Sequence, residues 1–133
     1  MPAKLTTTAI AAAALVTGAA LSVAVPALAG IGGAHTPGAR AAAYVNADGT
    51  VVRSTGITNV RQIHTGDYCI DLDHHINAAT AVPVATARGG APWDTIVLVS
   101  DNTGCGDATR TFRVLTGKTS GGFRSAPFHV VVD

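Results

Sequence analysis

Apolar residues beyond position 40 recur in short segments that are separated by turn-forming residues. The clearest alternation lies in residues 67–73, where Tyr68, Ile70 and Leu72 occupy every second position. A period of two is typical of a β-strand with one face buried in the core. The sequence therefore predicts a strand whose inner face is formed by these three apolar side chains.

Other apolar segments predict the remaining strands of the domain. They are expected within residues 44–52, 57–63, 78–88, 93–100, 110–116 and 127–133. Pro83 lacks a backbone N–H and predicts an edge strand or a bulge, whereas the unbroken apolar run 96–99 predicts a strand buried on both faces. Because no capped helical period follows residue 29, the predicted fold class is all-β, a small two-sheet β-sandwich of about 6–8 short strands.

The N-terminal 29 residues have the character of a secretory leader. Lys4 carries the only charged side chain there, and the uncharged, alanine-rich stretch that follows ends in Ala-Leu-Ala at residues 27–29, a signal-peptidase pattern. The alternative is a retained membrane anchor, since the stretch is long enough to span a bilayer. Pro26 and the small residues disfavour an anchor, so residues 1–29 are predicted to be a cleaved Sec signal peptide and the protein to be secreted.

The chain beyond the leader is predicted to form one extracellular domain behind a tether. Residues 30–40 are rich in glycine and predict a flexible tether, and residues 41–133 predict a single β-sandwich domain. Residues 30–133 together hold eight basic and eight acidic residues. Nucleic acids and membrane surfaces attract clustered positive charge, so neither is an expected partner after signal cleavage.

Cys69 and Cys105 are the two cysteines of the chain. In an exported protein a disulfide between them is the default. The chain-entropy relation gives about 4 kcal/mol of stabilisation for a loop of this length, as an upper-end value. The alternative is a reactive cysteine pair, but neither thiol has a C-x-x-C spacing or a basic sequence neighbour that would lower its pKa. We therefore predict a structural disulfide.

Turn and core positions along residues 41–133 form a recognisable set. They lie in residues 43–51 (AYVNADGTV), 56–60 (GITNV), 65–70 (TGDYCI) and 128–132 (FHVVV). This set resembles a small β module of uncharacterised secreted proteins from high-GC Gram-positive bacteria, and more loosely the repeat units of phage tail fibres. The resemblance implies a β fold, export and a second cysteine at the position of Cys105. It carries over no catalytic residue.

The candidate metal ligands are Asp71, Asp73 and His75, which share one face of the predicted strand if that strand continues to His75. Two carboxylates and an imidazole suit a divalent cation. The alternative is a solvent-facing polar edge, because any half-buried strand shows polar residues at every second position of its exposed face. The alternative is favoured, so neither a metal nor another cofactor is predicted.

Trp93 is the candidate binding residue. It follows a Gly-Gly-Ala-Pro segment at residues 89–92, which favours a position at the edge of a loop. The competing interpretation is a core tryptophan that closes one end of the sandwich, and this is the expected one. Most other aromatic residues share the parity of the core, so no stacking platform for sugars or bases is predicted.

Three functional hypotheses follow. The leading one is a secreted, non-enzymatic module that binds an extracellular protein or a cell-surface ligand, or serves a structural role. The second is an inhibitor of hydrolases that presents a rigid loop, either residues 89–93 or residues 102–107. The third is a small metal-dependent hydrolase that uses Asp71, Asp73 and His75. Function must be argued from a site, and the sequence alone favours the first hypothesis.

Overall fold

A computed structural model describes residues 38–133, which contain eight β-strands and no helix. The strands are β1 (Ala41–Val45), β2 (Val51–Thr55), β3 (Ile57–His64), β4 (Asp67–Leu72), β5 (Pro83–Ala87), β6 (Thr95–Ser100), β7 (Thr111–Lys118) and β8 (Phe128–Val132). The predicted all-β class is therefore confirmed. The predicted signal peptide and most of the predicted tether lie outside the described residues.

The strands form two four-stranded antiparallel sheets. We call them sheet A, with the order β2-β1-β8-β5, and sheet B, with the order β3-β4-β7-β6. The chain first changes sheets at Gly56, between β2 and β3, where φ is +64° and the backbone lies against the carbonyl of Arg40. Only glycine adopts this conformation there without steric conflict, and the tight corner lets the two sheets face each other.

Alternating side chains from both sheets fill the core between them. Tyr68 on β4 packs against Phe128 on β8 with ring centroids 4.9 Å apart, and its hydroxyl donates a hydrogen bond to the carbonyl of Ala47. A buried tyrosine requires such an acceptor for its polar end. Around this pair lie Ala41, Ala43, Val45, Ile57, Ile70, Leu72, Ile76, Phe112, Val114, Val130 and Val132. The predicted inner face of β4 is confirmed.

Position in the sheet decides how far the apolar strands are buried. Pro83 opens β5, which is an edge strand of sheet A, as its missing N–H predicts. The prediction that residues 96–99 are buried on both faces is wrong, because β6 is an edge strand of sheet B and its outer face meets solvent. Ile96 is 38% exposed and Leu98 is 56% exposed, while Val97 packs against the core.

We predict that Gly66→Ala destabilises the fold far more than Gly90→Ala. Both glycines have positive φ, +67° and +96°, so each alanine meets backbone strain of about 1–2 kcal/mol. A Cβ at Gly66 would also collide with the carbonyl oxygen of Thr116, whereas a Cβ at Gly90 meets open space. The collision adds about 1–3 kcal/mol. Urea denaturation of the two variants measures the difference, and equal losses of stability would contradict the packing at Gly66.

Candidate functional site

The outer face of sheet B, which points away from sheet A, is crossed by a loop that a disulfide holds in place. Cys69, in the central strand β4, is joined to Cys105 in the loop between β6 and β7, and the predicted disulfide is confirmed. Arg61 donates a hydrogen bond of 2.9 Å to the Cys105 carbonyl. Asp101 and Asp107 each accept hydrogen bonds from the threonine two residues later. The loop is therefore a braced surface element.

Two arginines flank Cys69 in register and neutralise the acidic residues of β4. Arg61 on β3 and Arg113 on β7 both lie directly opposite Cys69. The guanidinium of Arg113 donates two hydrogen bonds of 2.7 Å to the buried carboxylate of Asp67. Arg61 binds Asp71 in the same bidentate manner, and this contact raises the pKa of Arg61 above its ordinary value. These two ion pairs link β4 to both of its neighbouring strands on the outer face of sheet B.

The candidate metal ligands are divided by the structure. Strand β4 ends at Leu72, and the following turn gathers Asp73, His74 and His75, whose ligand atoms all lie within 4.8 Å of one another. Asp71 stays apart, with its carboxylate bound by Arg61. The set is one carboxylate and two imidazoles, a combination suited to zinc or copper. His74 was not among the candidate ligands, because in a strand that continued to His75 it would lie on the opposite face.

The geometry of this cluster is that of an exposed turn. The side chains of His74 and His75 are 81% and 63% exposed. The pKa of the Asp73 carboxyl lies below its ordinary value of 3.8, chiefly because the backbone N–H of His74 donates a hydrogen bond to it. Ile76 anchors the turn in the core. A metal role for Asp73 and His75 stays the disfavoured alternative of the sequence analysis, and the expected absence of a metal stays a prediction.

Trp93 is fully exposed, so the expectation that it closes the core is wrong. Core positions are taken by Tyr68, Phe112 and Phe128, and the segment from β5 to β6 carries Trp93 past the end of the sandwich. The backbone on either side is fixed, since the N–H of Thr95 donates to the Pro92 carbonyl at 3.0 Å. The loop position favoured by the preceding glycines is therefore the observed one.

An apolar groove lies on the outer face of sheet B beside the edge strand β6. It has a volume of about 290 Å³ and is lined chiefly by Ile96, Leu98, Leu115 and Phe123. Leu98 and Leu115 are paired across β6 and β7, and the side chain of Phe123 is 60% exposed. Contiguous exposed apolar side chains of this kind mark interaction surfaces more often than isolated ones do.

Comparison with known proteins finds no matching family model, no curated protein with significant similarity and no solved structure with significant similarity to this chain. No helix within residues 38–133 has the length and apolar character needed to cross a membrane. The disulfide fits an oxidising, extracellular environment.

Sequence reasoning missed a second surface, on the outer face of sheet A. Register places Arg53 opposite Tyr44 and Tyr44 opposite His129. His129 stacks on the Tyr44 ring with centroids 4.5 Å apart, and the guanidinium carbons of Arg53 and Arg88 lie 4.7 and 3.9 Å from the centroid of that ring. We call these four residues the arginine–tyrosine surface. The turn at residues 46–49 offered a signal for the Tyr44–Arg53 pair, but nothing local indicated that β8 lies beside β1.

Because Trp93 is the single tryptophan of the chain, its fluorescence tests the exposure of its side chain in solution. We expect the folded protein to emit at the wavelength of free tryptophan in water and to be quenched readily by acrylamide. Unfolding in urea should leave the emission wavelength nearly unchanged, since the indole is already solvated. A blue-shifted emission that moves to longer wavelength on unfolding would mean that Trp93 is buried.

His129 predicts a pH dependence of stability. Burial, followed by the charges of Arg88 and Arg53, holds the pKa of His129 below its ordinary value of 6.5. The unfolded chain then binds more protons than the folded one between those two pKa values, so stability falls as the pH drops through 6.5. NMR titration should find the pKa of His129 below 6.5, and Arg53→Gln should raise it. Lys118→Gln removes a charge from sheet B and should leave it unchanged, and an unshifted pKa in the wild type would contradict the prediction.

Proposed function

We propose that this protein is a secreted, non-enzymatic β-sandwich module that binds an extracellular protein or a cell-surface ligand through Trp93 and the apolar groove. The single observation that carries the proposal is the full exposure of Trp93. Tryptophan is enriched among the residues that dominate binding energy at interfaces. A large indole held in water gains free energy when a partner covers it, so its exposure favours a binding role.

The loop that carries Trp93 is anchored on both flanks. Arg124 donates hydrogen bonds of 2.7 and 3.2 Å to the carboxylate of Asp94, and a further one of 2.9 Å to the hydroxyl of Thr95. The N–H of Thr119 donates to the Asp94 carbonyl. A residue presented on an ordered backbone loses little conformational entropy when it binds. This arrangement supports Trp93 as an anchor residue.

Secretion is part of the proposal. The sequence of residues 1–29 has the pattern of a Sec leader, and a disulfide persists in oxidising compartments. The Cys69–Cys105 bond joins the centre of sheet B to an exposed loop, so its reduction would release the loop that covers β4. A module stabilised in this way is suited to the extracellular space.

The proposal is tested by capture experiments with the purified, oxidised protein. Wild type, Trp93→Ala and Val52→Ala are each immobilised and exposed to envelope and culture-supernatant fractions of the organism that encodes the chain. Val52 is a matched control, since it is an exposed apolar residue on sheet A. We expect Trp93→Ala to bind the captured partner at least about tenfold more weakly and Val52→Ala to bind as wild type does.

The same experiment has a spectroscopic readout. When the captured partner is added to the wild type, Trp93 emission should shift to shorter wavelength and become protected from acrylamide. A partner that binds all three proteins equally and leaves the fluorescence unchanged would overturn Trp93 as the binding residue.

The braced loop favours one alternative, an inhibitor of hydrolases. Cys105 is held by the disulfide and by Arg61, and residues 102–107 are largely exposed around it. Rigid loops lower the entropic cost of binding to an enzyme cleft. Titration against a panel of extracellular proteases and glycosidases distinguishes the two candidates, because stoichiometric inhibition that survives Trp93→Ala would favour the inhibitor.

A further inference from the structure

We propose that the arginine–tyrosine surface of sheet A binds a phosphate or sulfate group between Arg53 and Arg88. This surface lies on the sheet opposite to the one that carries the apolar groove, so the inference goes beyond the proposed function. The proposal rests on two guanidinium groups that lie beside the same tyrosine ring and have no carboxylate partner within residues 38–133.

The two arginines of this surface differ from the other arginines of the described residues, which are bound by an aspartate or a backbone carbonyl. Arg61, Arg113 and Arg124 each pair with an aspartate, and Arg40 and Arg110 donate to backbone carbonyls. Within residues 38–133 neither Arg53 nor Arg88 forms an ion pair. Their charges contact the Tyr44 ring but are not neutralised by a carboxylate, so they can still attract an anion.

Both guanidinium groups are nevertheless held close to one point. Arg53 extends from β2 and Arg88 follows β5, on opposite edges of sheet A, and both lie within 5 Å of the centroid of the Tyr44 ring. Arg88 is fixed by a hydrogen bond of 2.7 Å from its Nη1 to the side-chain oxygen of Asn46. Two like charges gathered at one ring repel each other, and a bound oxyanion would attract both of them and so offset that repulsion.

The polar atoms nearby also suit an oxyanion. The Nε of Arg88 and the Nε2 of His129 are buried with no hydrogen-bond partner among the described residues, so the hydrogen-bonding capacity of these two groups is not satisfied within the fold. Thr86 lies opposite His129 in register and offers an exposed hydroxyl. Guanidinium groups donate paired hydrogen bonds that match the oxygen spacing of phosphate and sulfate. The ligand class follows from the guanidinium groups of Arg53 and Arg88.

His129 supplies a local reporter of binding. Tyr44, Arg53 and Arg88 are the titratable and charged groups that face it. The two arginines contribute to the lowering of its pKa, and an anion beside them would offset their charge. Phosphate binding should therefore raise the pKa of His129, an effect that a change in fold stability alone would not produce.

The test titrates the oxidised protein with inorganic phosphate and with inorganic sulfate at constant ionic strength, and follows the imidazole signals of His129 by NMR. We expect a saturable shift, a dissociation constant of about 1 mM and a raised pKa of His129. Arg53→Gln should weaken binding at least about fivefold, and Arg53→Lys, which keeps the charge but loses the paired donors, should fall between it and wild type. Lys118→Gln, which removes a charge from sheet B, should bind as wild type does.

A second arm identifies the source of the group. A soluble phosphodiester polymer is compared with inorganic phosphate at equal phosphate concentration, and tighter binding of the polymer assigns the site to a polymer-borne phosphate, whereas equal binding assigns it to the free ion. The proposal is overturned if neither inorganic phosphate nor sulfate produces a saturable change at His129. It is also overturned if the folded Arg53→Gln variant binds these anions as tightly as the wild type does. Trp93 should be quenched by acrylamide in the Arg53 variants as it is in the wild type. Its exposure is then unchanged, so a loss of phosphate binding can be told apart from a change in the surface that carries the proposed function.

Discussion

The fold depends on the burial of β4 on both of its faces. Its inner side chains, Tyr68, Ile70 and Leu72, fill the core between the sheets. Its outer side would leave Asp67 and Cys69 in water, but a disulfide-bound loop and the guanidinium of Arg113 cover them. A buried carboxylate is stable only when it is paired. The alternating sequence of this strand therefore requires partners from both neighbouring strands and from a distant loop.

This constraint also explains where the exposed surfaces lie. The disulfide and the loop it holds occupy the outer face of sheet B over β4, and no segment of residues 38–133 covers the surface beside the edge strand β6. Ile96 and Leu98 consequently form an apolar groove rather than a second core layer. On the other side of the molecule, none of the described loops covers Tyr44 on sheet A, and the arginines of its two edges converge there. The two proposed binding surfaces are thus on opposite sheets.

The features of the fold that could be predicted from sequence are those that depend on a local residue pattern. Alternation in residues 67–73 identifies the inner face of β4, and Pro83 identifies an edge strand because its missing N–H is a property of one residue. The prediction that residues 96–99 are buried on both faces is wrong, since an edge strand and a central strand can carry the same apolar residues. The exposure of Trp93 and the contact of His74 with Asp73 were not predicted, because the end of a strand and the direction of a loop depend on contacts with residues far along the chain.

The sequence by itself determined the all-β class, the alternation of the central strand and the disulfide, because strand period is a local pattern and two cysteines allow a single intramolecular pairing. Only the tertiary structure decided which apolar residues stay in water and which charges lack partners. Strand order is set by packing between residues distant in sequence, and it is this order that brings Arg53, Tyr44 and His129 into one row. The exposure of Trp93 has the same origin, since the core is already filled by Tyr68 and Phe128.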